Sequence, residues 1–71
     1  MKEKSSLALA EAIVADGFTE HCEALTQLLN EARDLFVDEL LVNIVADASN
    51  APVVRERALG RVIVALEYRR P

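Results

Sequence analysis

His21 and Cys22 are the only histidine and the only cysteine in the chain, and they are neighbours. A nucleophile and its base must lie within hydrogen-bond reach of each other. Adjacent residues on a helix point about 100° apart, so this pair does not form within one segment. One His and one Cys also cannot supply the four ligands of a closed zinc site. Cys22 therefore reads as a core residue beside Leu25 and Leu29, and His21 as a surface or helix N-terminal residue. Glu31, Asp34 and Asp38 line one helical face, which raises the chemistry of a divalent cation. A di-iron carboxylate site would also need Glu-x-x-His pairs, and the sequence contains none. A solvated acidic face is the expected role of these three. The chain also lacks a Gly-rich phosphate loop and an EF-hand loop. The sequence thus predicts a protein that is not an enzyme, with no catalytic residues, no metal and no cofactor.

The remaining chemistry is that of charge. The 71 residues carry 8 Lys+Arg against 12 Asp+Glu, a formal net charge of -4. Residues 5–51 sum to -8, with Arg33 as their single base, whereas residues 52–71 sum to +3 and hold Arg55, Arg57, Arg61, Arg69 and Arg70. This segregation places the basic C-terminal segment near an acidic surface, in its own chain or in a partner. On a solvated surface each such pair contributes under about 1 kcal/mol. Two other uses follow from the same charges. The Arg-rich segment could bind nucleic acid, although the chain is acidic as a whole and shows no basic stripe with interleaved aromatics. Alternatively, the acidic face could dock on a basic site of another protein, as an inhibitor would.

Three helices would have to position these groups. Residues 6–15 form the first, with Ser5 or Ser6 as its cap. Leu7, Leu9, Ala10, Ile13 and Val14 supply its apolar surface, and Gly17 suits the left-handed position that ends it. The second spans residues 19–48, with Thr19 as N-cap and neither Gly nor Pro inside. Pro52 then fits the first turn of a third helix over residues 52–69, where its missing N–H is no loss. Val54, Ala58, Val62, Ala65 and Leu66 mark one face of that helix. Gly60, which costs a helix about 1 kcal/mol relative to Ala, would be explained by close approach of another backbone. The β-branched run Val62-Ile63-Val64 also allows a strand over residues 61–68, but a lone strand would have no partner.

The apolar face of the second segment changes direction. Cys22, Leu25, Leu28, Leu29, Ala32, Leu35 and Phe36 share one side of a helical wheel. Val37, Leu40, Leu41, Ile44 and Val45 point roughly the opposite way. Either the helix breaks near residues 36–39, or its halves pack against different elements. The absence of Gly and Pro favours an unbroken helix. The expected architecture is therefore all-α, a helical hairpin or bundle with a long central helix. A domain this short buries only roughly 60% of the surface its unfolded chain exposes, so oligomerisation is expected to complete it. The expected interface is Val37, Leu40, Leu41, Ile44 and Val45, oriented by Arg57 and Arg61. Its partner would be a second copy or another protein, rather than nucleic acid or a membrane.

A charged N-terminus precedes an apolar stretch, but Glu11 interrupts it, which argues against a signal sequence. The apolar run Leu40 to Ala46 is far short of the ~20 residues that span a bilayer. With its single Cys, the chain is expected in a reducing cytoplasm.

The stretch Arg57-Ala58-Leu59-Gly60-Arg61-Val62-Ile63-Val64-Ala65-Leu66-Glu67, with Pro71 closing the chain, resembles the tail of a group of viral proteins. These are short helical accessory proteins encoded near the head and packaging genes of tailed bacteriophages. The resemblance covers about a quarter of the chain. It implies a helical accessory or assembly protein that acts by contact, in the virion or the host cytoplasm. Those proteins form a simpler helical hairpin, from which the additional N-terminal helix departs, and the motif carries over no functional residue.

Overall fold

The computed structural model describes residues 6–69. Four α-helices occupy them: α1 (Ser6–Asp16), α2 (Cys22–Asp34), α3 (Glu39–Ala46) and α4 (Pro52–Arg69). One turn of 3-10 helix, Thr19–His21, leads into α2. No strand occurs among the described residues, and residues 61–68 are helical. The all-α expectation holds, whereas the expected continuous helix over residues 19–48 is replaced by three shorter elements.

The break in the middle has a specific geometry. Phe36 adopts φ 60, its N–H donates to the Arg33 carbonyl (3.1 Å), and the Val37 N–H donates to the Ala32 carbonyl (2.9 Å). This is a Schellman ending with phenylalanine where glycine is usual. Val37 and Ala32, the pair that such an ending brings together, are both buried. The next helix begins at once. The Asp38 carboxylate caps α3 by accepting the Leu40 N–H at 3.0 Å, and the buried Val37 and Val42 occupy the positions of a hydrophobic staple. The reversal of the apolar face was therefore the signature of a break, achieved without Gly or Pro.

Gly17 ends α1 as expected, at φ 96. The capping of α1 by Ser5 or Ser6 cannot be followed, because Ser5 and the Ser6 side chain lie outside the described residues. Thr19 is not a side-chain cap. The 3-10 turn starts behind Phe18 with no capping hydrogen bond, and Phe18 turns into the core instead.

The helices form a closed circuit: α1 packs on α4, α4 on α3, α3 on α2, and α2 on α1. The pairing of α3 with α4 is the most extensive. Its turn is held by Asp47, whose carboxylate accepts the Ser49 N–H (2.9 Å) and hydroxyl (2.6 Å). Asn50 Nδ2 donates to the Ile44 carbonyl (3.1 Å), and Arg55 Nε donates to the Val45 carbonyl (2.9 Å). These two side chains satisfy carbonyls that the end of α3 would otherwise leave unpaired. The Arg55 guanidinium also lies 4.0 Å from the centre of the Phe18 ring, which ties the α3–α4 turn to the entry of α2.

The core comprises Ile13, Phe18, Leu25, Leu28, Leu29, Ala32, Val37, Val42, Val45 and, from α4, Ala58, Leu59, Val62, Ile63 and Leu66. Leu25, Leu28, Leu29 and Ala32 confirm the apolar face read for the first half of the middle segment. Cys22 and Phe36, expected with them, are exposed. Cys22 is the first residue of α2, and Phe36 holds the left-handed backbone position of the break. In α3 the buried residues are Val45, from the expected apolar set, and Val42, which that set left out; Leu41 and Ile44 are half-buried and Leu40 is 67% exposed. The molecule measures 32 × 29 × 17 Å, a thin slab with two broad faces.

Candidate functional site

His21 and Cys22, though neighbours in sequence, have different surroundings. His21 Nε2 lies 2.9 Å from Asp16 Oδ2, a contact that joins the end of α1 to the 3-10 turn. Cys22 is exposed with no part in that contact. Glu31 and Asp34 belong to the last turn of α2, whereas Asp38 lies beyond the break and caps α3, so the three do not share a helical face. Among the described residues, no group of three or more His, Cys, Asp and Glu side chains could hold a metal ion. Among them, too, no helix is long and apolar enough to cross a membrane.

The expected interface residues divide. Val37 and Val45 are inside the molecule's own core. Leu41 and Ile44 are half-buried, and their outer surfaces form one wall of a furrow between α3 and α4. Arg57 and Arg61, both exposed, form the other wall. Leu40 lies off this furrow, in the first turn of α3.

The furrow follows from the way α3 and α4 run antiparallel. Ile44, near the end of α3, faces Val54 and Ala58 early in α4, and Leu41, near the start of α3, faces Ala65 and Tyr68 late in α4. Beyond Arg57 it widens into a shallow groove of about 690 Å³ around Gly60, Val64, Tyr68 and Arg69. A further depression, over Val64 and Tyr68, continues to Leu7 of α1. Gly60 lies in the bed of this groove. Apart from its chain neighbours and the backbone of its own helix, no described atom comes within 4 Å of where its Cβ would stand, so the close backbone approach expected there is not made among the described residues.

Arg57, Arg61 and Arg69 make no ion pair with any described residue, unlike Arg55, which is committed to the Val45 carbonyl and Phe18. Val54, Val64 and Tyr68 are exposed by 45%, 57% and 85%. One face of α4 therefore presents an apolar floor with guanidinium groups along it. Of the residues lining this surface, the sequence reading named Leu41, Ile44, Arg57 and Arg61 for contact and Gly60 for close backbone approach, but left out Val64 and Tyr68, which continue the stripe that Gly60 begins. Their spacing at i, i+4 and i+8 was the available signal, obscured because residues 58, 62 and 66 make an equally regular stripe that is the one buried.

Asp47, in the turn between α3 and α4, lies outside this surface. Asp47 is held below its ordinary value of 3.8, first by the Ser49 hydroxyl, then by the Ser49 N–H, with a smaller contribution from the Arg55 charge. It is the pin of a turn rather than a reactive acid.

No protein-family model, curated protein or solved structure matches this chain.

Proposed function

We propose that this is a small non-enzymatic contact protein, a structural or assembly accessory that works by docking another protein surface along the α3–α4 furrow. The observation that carries this reading is the outer face of α4. There, uncommitted Arg57 and Arg61 flank an apolar bed formed by Leu41, Ile44 and Val64, with Gly60 open to close approach. An apolar centre with a charged rim is the general anatomy of a protein–protein contact. A nucleic-acid backbone would engage the arginines but leave the apolar bed in water, and the chain's net charge of -4 opposes it. The resemblance of residues 57–67 to phage accessory proteins accords with the same role, within an assembling particle.

The test is a photo-reactive residue placed at Arg61 or Val64 in the cell of origin, with Glu23 on the exposed face of α2 as the control. Protein adducts from positions 61 and 64 and none from position 23 support the reading. Equal adducts from all three, or none from the furrow, contradict it.

A further inference from the structure

The same molecule carries a surface complementary to its own furrow. Phe36, in the break, is 85% exposed and Leu40, in the first turn of α3, is 67% exposed. Asp34, Asp38 and Glu39 stand beside them in sequence, all exposed. The α2–α3 corner is thus an apolar knob with an acidic rim, and the furrow is an apolar bed with an arginine rim. We infer that the furrow's occupant is the Phe36 corner of a second copy of this chain, which rests on the reading of the furrow as a docking surface.

Three observations lead to that occupant. Charge is complementary: residues 5–51, which hold the knob, sum to -8, and residues 52–71, which hold the arginines, sum to +3. A steered contact between such surfaces fixes register and excludes wrong partners. The knob cannot fill the furrow of its own chain, because Leu40 of the knob and Leu41 of the furrow wall are consecutive on the rigid helix α3. Finally, furrow-on-furrow pairing would bring Arg57 and Arg61 of two copies together, whereas knob-in-furrow pairing sets them against Asp34 and Glu39. An aromatic anchor in a pocket, ringed by polar contacts that exclude water, is the arrangement that concentrates binding energy.

The experiment is solution mass across a concentration series for four forms of the full chain. The parent chain reaches at least twice the single-chain mass. Phe36→Gly dissociates at concentrations at least about tenfold higher than the parent, as expected for loss of an aromatic anchor, while keeping parental helicity. The doubly reversed variants Arg57→Glu/Arg61→Glu and Asp34→Lys/Glu39→Lys are each monomeric alone. Mixed together, they regain the associated mass, because every contact in the mixed pair again joins opposite charges. A parent chain that stays monomeric throughout, association unaltered by Phe36→Gly, or a mixture that stays monomeric overturns the inference. If the parent is monomeric but position 61 still cross-links to a different protein, the furrow remains a docking surface and only its occupant is wrong.

Discussion

Phe36 holds a conformation that its side chain disfavours. A non-glycine residue in the left-handed region sits about 1–2 kcal/mol above its preferred state, and at 85% exposure the ring recovers little by burial. Phe36→Gly should therefore raise stability by about 1 kcal/mol, measured as the midpoint of urea unfolding at a concentration where the parent is monomeric. A lower midpoint would mean that the ring packs in its own molecule. The contrast between greater stability and weaker association is the expected mark of a residue retained for contact rather than for folding. Asp47 gives a second prediction at this scale. Its folded-state value is lowered by Ser49, so its stabilising effect is fully present above about 3.8 and is lost as pH falls through the lowered value. The melting temperature of the parent should exceed that of Asp47→Asn near neutrality, and the gap should close as pH falls towards about 2. A gap that widens in acid would contradict the assignment.

The elements are defined more by their ends than by their interiors, and the ends account for what could be read from sequence. Gly17 and Pro52 announce boundaries through glycine's freedom at positive φ and proline's missing N–H, and both were legible. The break between α2 and α3 was not, because it uses Phe36 where the rule expects glycine. What could be read there was its consequence, the reversal of the apolar face, together with an unrecognised cap at Asp38. The furrow was half legible for a related reason. Arg57 and Arg61 stood out by charge, but α4 is apolar on both sides, and periodicity alone cannot say which stripe faces inward. Arg55 was readable only as a charge. Its structural task depends on Val45 and Phe18, ten and thirty-seven residues away in sequence. Arg55→Ala should cost about 1–3 kcal/mol, since it leaves a partly buried carbonyl unpaired and removes the stacking on Phe18. Arg57→Ala, on the exposed face of the same helix, should change stability by less than about 0.5 kcal/mol. Comparison of the two variants by thermal unfolding checks this, and equal losses would contradict the division of labour between the two arginines.

At the scale of the molecule, a 71-residue chain has little stability to spare, roughly 4–10 kcal/mol at ordinary per-residue values. Its core is a single cluster to which α4 contributes Ala58, Leu59, Val62, Ile63 and Leu66. Leu66, fully buried near the end of α4, should cost about 2–5 kcal/mol on replacement by Ala, measured as a lowered midpoint of thermal unfolding followed by circular dichroism. A loss below about 1 kcal/mol would show that the end of α4 is not integral to the core. The exterior of the slab is as informative as its interior, because an acid-rimmed knob and an arginine-rimmed furrow persist on a molecule that has otherwise closed its core. The most direct test of that pairing is a series of amide NMR spectra recorded from dilute to concentrated protein. The account predicts progressive shifts concentrated at Phe36, Leu41, Gly60, Arg61 and Val64, with the exposed Glu23 and Gln27 of α2 unmoved. Shifts centred on Glu23 and Gln27, or no shifts at any concentration, would contradict it.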